Sequence, residues 1–482
     1  MNEQNPAQAQ NHSLSFTKLT AMIIGSTIGG GIFTTAGDMA ASGAHTGSVL
    51  IGWTICGIGM SCLMMCFFGL NRLRPDLTNG IYSYAKEGFG EFVGFNSAWG
   101  YWVSALLCNV SYTTLLFGAI GHFFPIFGDG NNLLSIVCAS AIIWLLNALI
   151  LRGVQEAAAL NVITTIAKLI PILLFVIAVI FFGAFRPAVF MENFWGADTP
   201  GAPDISTQIK ATTSATVWSF IGVEGAVVLS ARAKHSADVG KASLTGFLGI
   251  FAIYVLVAIL SMGVLPTEEL ASLKSPQMAG ILQVVIGWTI LAADCPYSAA
   301  RQGVFLKAFA RANPNGSPSF ALYLTNGLVQ LFLIVIFFSA STYQVFYTFS
   351  TTMIMIPYFL SALYYLKVTL RGEGFPRGAK SPAPGSDSDA NTAARGGSLA
   401  AARFFAVIGT AYGIWMLYSS GLELTFIACI LYAPGILVYA LGKKERGRPV
   451  FERPYEMVLA IALAVLALIA IFMIATGRIR PF

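Results

Sequence analysis

The chain is dominated by the recurrence of apolar runs about 20 residues long, the length an α-helix needs to cross a bilayer. Such runs lie near 17–41, 47–70, 95–124, 132–151, 160–184, 211–231, 242–265, 278–299, 318–340, 343–367, 402–420, 423–442 and 455–476. Thirteen spans make an all-α polytopic membrane protein. Composition agrees: 10% of the 482 residues are charged and mean hydropathy is +0.72, against about 25% charged in a soluble domain. Too few charges remain to coat a soluble protein of this size. A disordered chain, a secreted disulfide scaffold and a nucleic-acid binder are excluded. The seven cysteines lie in apolar stretches and the four histidines are scattered, so no disulfide framework and no metal site is legible. The polar residues 1–16 form a cytoplasmic tail without the features of a cleavable signal peptide.

Basic residues orient the spans. With the N-terminus in the cytoplasm, inner segments hold 22 Lys and Arg and outer segments hold five, with Lys168 left inside a span. Residues 372–399 are rich in Gly, Pro and Ser and read as a disordered cytoplasmic loop. This loop separates ten core spans from three peripheral ones at 400–482.

Two spans are interrupted. The first reads AMIIGSTIGGGIFTTAG, with Gly29, Gly30 and Gly31 in sequence near its middle. Each glycine costs about 1 kcal/mol in a helix interior, so the run points to local unwinding; the alternative is close helix packing through Gly25 and Gly29. The sixth span, TVWSFIGVEGAVVLSAR, decides between them, because Gly222 and Gly225 flank Glu224 deep in an apolar run. Breaks five spans apart point to a 5+5 inverted repeat, one half over 17–184 and the other over 211–371, with substrate held at unwound backbone near the midplane. Half-helix N-termini there favour a carboxylate, and freed carbonyls accept from an ammonium. A site of this kind suits an α-amino acid or a similar zwitterion.

Ionisable groups inside spans are functional candidates. Glu224 is either a hydrogen-bond partner of unwound backbone or a group whose charge is linked to transport. Lys168 either snorkels to an interface, awkwardly from eight residues into its span, or serves a buried role. Asp294, near a helix end beside Pro296, reads as a boundary residue. The cluster Trp99, Tyr101 and Trp102 reads as an interfacial belt, whereas the amide of Asn109 needs partners inside the membrane. Trp218 and Trp288 either pack or box a cationic side chain, a contact worth about 2 kcal/mol or more when desolvated.

The motifs IGGGIF at 28–33, DLTNGIYSYA at 76–85, WSFIGVEG at 218–225, GWTILAAD at 287–294 and SAARQGVF at 298–305 resemble the amino acid–polyamine–organocation superfamily. Within it they are most similar to the basic amino acid/polyamine antiporters of the arginine/ornithine type. The resemblance runs from residue 15 to about 475. It implies a role for each matching position. Gly29, Gly30 and Gly31 hold the substrate carboxylate, and Ile221, Gly222 and Val223 form the unwound sixth helix. Trp218, followed by Ser219, stacks on the substrate. Trp288, Asn109 and Tyr101 complete the site, and Ser350 contacts substrate. Tyr358 gates, Glu224 links transport to pH, and Lys168 occupies the position of a sodium site, which implies no sodium requirement.

One departure stands out. Relatives carry a surface helix around a motif like PSPQMAGIL and then a separate eighth span, whereas here LQVVIG, 282–287, runs directly into WTILAAD. About 20 residues, one helix's worth, are absent, and the outer half of the eighth span is built from sequence that elsewhere lies on the surface.

The expected function is exchange of a cationic amino acid for a related amino acid or amine across the cell membrane, arginine for ornithine in the simplest case. The alternatives are a permease or exchanger for lysine, histidine or a neutral amino acid, and a non-transporting amino acid sensor on the same scaffold. No nucleophile and base pair suggests an enzyme, and no segment resembles a channel filter. No cofactor is expected. The partners are small cationic amino acids or amines and membrane lipid, not nucleic acid, and a homodimer stays open.

Overall fold

A backbone that crosses hydrocarbon must satisfy its own hydrogen bonds, and a single chain of apolar runs does so as helices. Every regular element described is helical. The computed structural model describes residues 16, 20, 24, 27–28, 31–77, 80–152, 169–224, 236–272, 278–339, 342–375 and 398–479. Gly29, Gly30, Gly225, Lys168 and most of the expected disordered loop lie outside the described residues.

The principal helices in chain order are α1 (Gly31–Ala41), α2 (Thr46–Leu73), α3 (Ile81–Phe89), α4 (Glu91–Phe123), α5 (Leu133–Arg152), α6 (Leu169–Phe181), α7 (Ile205–Phe220) and α8 (Ser236–Val264). They continue as α9 (Thr267–Ser272), α10 (Met278–Arg301), α11 (Ser319–Ser339), α12 (Tyr343–Arg371), α13 (Leu399–Lys444) and α14 (Pro454–Ala475). Eight of the described helices are long and apolar enough to cross a membrane. Of these, α13 has 46 residues, about twice what one crossing needs. It breaks at Gly421, whose φ of +84° is non-helical, between the spans expected at 402–420 and 423–442.

Burial separates centre from rim. In α4, 89% of the apolar window is buried, against 17% in α14. A helix apolar on all sides and buried on all sides belongs to the core, and α4 packs against α3, α10, α11 and α12. Its two tryptophans correct the expected interfacial belt. Trp102 donates to Thr325 Oγ1 at 2.9 Å and Trp99 to the Leu431 carbonyl at 2.9 Å. Both indoles are buried among helices, because α4 lies at the centre and offers no lipid face there.

Glycine lets these helices approach. A methyl group on Gly100 of α4 would sit 1.8 Å from the Tyr432 hydroxyl and 3.1 Å from the Met353 carbonyl. That hydroxyl itself donates to Met353 O at 3.0 Å, so the Tyr432 ring cannot yield without losing the bond. Gly100→Ala is expected to destabilise the protein by about 1–3 kcal/mol through overpacking. Thermal unfolding in detergent reads this, and an unchanged midpoint would contradict it.

The peripheral helix is tied to the core at the start of α4. The buried Glu456 carboxylate accepts from the backbone N–H groups of Phe92, Glu452 and Arg453 at 3.3, 3.0 and 3.3 Å. One carboxylate thus satisfies N–H groups that a helix start leaves unpaired. Lys443 bridges Glu91 and Glu452 beside it.

Candidate functional site

α7 begins at Asp204, whose carboxylate caps it by accepting from the Thr207 N–H at 3.2 Å. It stops at Phe220. Ile221–Glu224 form a turn in which Gly222 takes φ +106°, a conformation that side chains other than hydrogen rarely adopt. The sixth span is therefore interrupted where its glycines predicted. Near the first span's glycine run, Ile28 lies in a bend and α1 begins at Gly31.

Glu224 stitches this break. Its Oε2 accepts from the Gly222 N–H at 3.0 Å and from the Tyr358 hydroxyl. The carboxyl is fully buried, and Tyr101 interacts with it electrostatically. Glu224 thus completes the backbone of the turn and joins it to α12, as expected of a hydrogen-bond partner of unwound backbone.

The rest of the constellation closes around this turn. The Trp218 ring lies 4.6 Å from Tyr112 of α4 and 5.1 Å from Tyr347 of α12 between centroids. Ser219 shares a 2.7 Å hydrogen bond with Thr35 of α1, tying the two interrupted spans together. Trp288 of α10 lies 6.3 Å from Tyr101, and the Asn109 amide donates to Thr289 Oγ1 at 3.3 Å. Ile221 is buried in the turn. Ser350 is committed elsewhere: it bonds to Ser104 Oγ at 2.9 Å, donates to Ser104 O at 2.8 Å and meets Cys108 Sγ at 3.0 Å. That knot pins α12 to α4. Tyr101, Asn109, Trp218, Ser219, Ile221, Glu224, Trp288 and Tyr358 are brought together. Gly29, Gly30 and Lys168 lie outside the described residues.

Buried polar groups nearly always find a partner. Here Tyr101 and Glu224 answer each other, but three atoms have no partner among the described residues: Asn109 Oδ1, Trp218 Nε1 and Trp288 Nε1. They include obligate donors and an obligate acceptor. A ligand carrying both ammonium-type donors and carboxylate-type acceptors would satisfy the set. Beside Tyr101 a cavity of about 20 Å³, lined also by Tyr82, Ser97, Asp294 and Cys295, has room for about one water. Asp294, expected at a boundary, is buried there.

Reading the residues one by one misses Tyr112, Tyr347 and Thr289. Tyr112 lies three residues after Asn109 and Tyr347 three before Ser350, so helical spacing puts each on the face of a residue already singled out.

The sequence model described as amino acid permease matches residues 14–287 and 280–418. An arginine/ornithine antiporter of Pseudomonas aeruginosa is 40% identical over 498 residues, covering 98% of this chain and 99% of its own. An arginine/agmatine antiporter of Chlamydia pneumoniae is 36% identical over 495 residues, covering 97% and 98%. A putative arginine/ornithine antiporter of Escherichia coli is 38% identical over 487 residues, covering 96% and 99%. Among solved structures, a Na+-coupled sialic acid symporter in a substrate-bound outward-open state aligns with TM-score 0.50 and 14% identity over 86% of this chain and 91% of its own. That likeness concerns the fold alone. The stretch aligned with the Pseudomonas protein exceeds the 482 residues of this chain, so that relative carries residues without counterparts here. The two pieces of the family match meet at 280–287, where the eighth span was expected to be short. In the structure α10 is nevertheless continuous and Trp288 is fully buried.

Proposed function

Since this chain belongs to the amino acid permease family, we propose that it is a secondary antiporter exchanging a cationic amino acid for a related amino acid or amine, arginine for ornithine in the simplest case. The observation that carries this reading is the set of three unpartnered buried polar atoms around the interrupted α7, Asn109 Oδ1, Trp218 Nε1 and Trp288 Nε1, whose donors and acceptor suit a zwitterion with a cationic head. The printed activities of the relatives support the substrate class. In this reading the protein is a multi-pass transporter with its N-terminus in the cytoplasm, built on a 5+5 inverted repeat. The first-span glycines take the substrate carboxylate. Trp218 stacks on the substrate, with Trp288, Asn109 and Tyr101 on its cationic side.

The cycle needs no covalent chemistry. Substrate bound between the repeats stabilises a closed state, and the protein reopens to either side only when loaded, which couples efflux to influx. Glu224 and Tyr358 close the inner side, since their hydrogen bond joins two elements that must part for release.

Counterflow in proteoliposomes tests the reading. Labelled arginine is expected to accumulate in vesicles preloaded with ornithine, lysine or arginine and not in empty ones. Arginine binding without exchange would favour a sensor, and accumulation only of neutral amino acids would replace the substrate class. The same vesicles test Lys168, proposed to hold its ammonium where a sodium ion would otherwise bind. Exchange is expected to run equally in potassium and sodium media, and dependence on a sodium gradient would contradict that role.

A further inference from the structure

We propose that the cavity above the midplane site is a docking subsite for an organic cation, a primary ammonium or a guanidinium, with Asp38 as its counter-ion. The cavity measures about 490 Å³ and lies between α1, the end of α4, α6, α8, α9 and the start of α12, within the size range of small-molecule sites. Two carboxylates, Asp38 and Asp129, stand among the residues that line it, and no Lys, Arg or His does among those described. Glu268 and Glu269 are exposed in the first turn of α9, the helix whose other end supplies Leu270 and Ser272 to the wall.

Asp38 is the decisive group. Its residue is 4% exposed. Oδ1 accepts from the Tyr343 hydroxyl at 2.7 Å and from the Gln344 amide at 2.9 Å. Both donors are neutral, so they orient the carboxylate without cancelling its charge. Oδ2 accepts no hydrogen bond of good geometry among the described residues, the neutral Thr34 hydroxyl being the one further donor beside the carboxylate, and Asp38 takes part in none of the described ion pairs. A buried carboxylate without a counter-charge is costly, and a ligand cation supplies one. The apolar wall, including Leu115, Ile172 and Val257, covers the alkyl part of such a cation and keeps the local dielectric low, which strengthens the pairing. The guanidinium of an arginine suits a carboxylate oxygen left open in this way.

The subsite is placed to feed the midplane. Tyr343, which holds Asp38, lies 6.1 Å from Tyr347, and Tyr347 lies 5.1 Å from Trp218. The rings form a file from Asp38 to Trp218 along which a cation keeps contact with aromatic faces. The cation's identity as the transported substrate rests on the antiporter reading; the subsite itself does not.

Labelling separates the two. Ser272→Cys places a thiol on the exposed edge of the cavity, where a membrane-impermeant maleimide reports occupancy. Arginine and agmatine are expected to slow its labelling, and to do so still when Trp218→Leu is added, because the subsite is independent of the midplane. Asp38→Asn keeps acceptors for Tyr343 and Gln344 but removes the charge. It is expected to weaken protection about tenfold, equivalent to about 1.4 kcal/mol. Ala41→Lys, a tethered ammonium on the exposed wall, is expected to abolish protection by occupying the counter-ion even if Asp38→Asn does not fold. Absence of protection in the Ser272→Cys protein, its loss with Trp218→Leu, undiminished protection in Asp38→Asn or any protection in Ala41→Lys would each overturn the proposal. Protection by cations in a protein that shows no exchange would keep the subsite and discard the antiporter reading.

Discussion

Trp218→Leu is expected to raise the half-saturation for arginine at least tenfold and to cut counterflow correspondingly, while the protein still inserts and elutes as a single species. Trp218 is fully buried, with Tyr112 and Tyr347 against its ring. Its Nε1 has no partner among the described residues, so the indole is held in place by packing alone and keeps a donor in reserve. Leucine retains enough apolar bulk to fill most of the gap. It loses the π face, worth about 2 kcal/mol toward a desolvated cation, together with the spare donor. The packing alternative makes a different forecast: a cavity cost spread over stability, with affinity for arginine unchanged. Measuring thermal unfolding and half-saturation on the same preparation distinguishes the two. Lower stability with wild-type affinity would remove Trp218 from the substrate site.

The second large effect falls on Glu224. Glu224→Ala is expected to reduce exchange more than tenfold, and Glu224→Gln much less at its best pH. In the turn at 221–224, Glu224 Oε2 accepts from the Gly222 N–H and from Tyr358. Alanine removes the acceptor that both donors share in a low-dielectric interior, at a cost of about 1–3 kcal/mol. Glutamine restores an acceptor. What it does not restore is a group that gains and loses charge. If the charge state of Glu224 biases the inward-facing and outward-facing states differently, its removal shifts their populations, and the pH profile of the Gln protein flattens. A pH series of counterflow with wild type, Gln and Ala reads both effects. A Gln protein with the wild-type profile would make Glu224 purely structural, and an Ala protein equal to Gln would show that the turn does not depend on its acceptor.

The parts of the fold legible from sequence were those written in local chemistry. Apolar runs locate helices because bilayer thickness sets their length. The break after Phe220 was readable because Gly222 and Gly225 bracket a carboxyl in an apolar run. The doublet at 402–442 was readable because one helix of that length would overshoot the membrane, and Gly421 ends the first half. Contacts set by helix position were not legible. Trp99 and Trp102 have the composition of an interfacial belt, and only the central place of α4 buries them against Leu431 and Thr325. Ser350 matched a substrate-contacting serine, yet its hydroxyl is engaged with Ser104. Asp38 sits near the end of the first span, where a carboxylate ordinarily faces water, so nothing local marked it. Its isolation becomes visible only once Tyr343 and Gln344, some 300 residues later, are seen to hold one oxygen and leave the other.

The claim on which the rest depends is that the polar atoms left open around the interrupted α7 are completed by a cationic amino acid. A structure of the protein in lipid nanodiscs at saturating arginine tests it directly. Density for one arginine is expected between Trp218, Asn109 and Trp288, with its carboxylate at the first-span glycines and hydrogen bonds closing Asn109 Oδ1 and at least one of the open indole N–H groups. Clear side-chain density for Trp218, Asn109 and Trp288 in their unliganded positions, with no arginine between them, would contradict it.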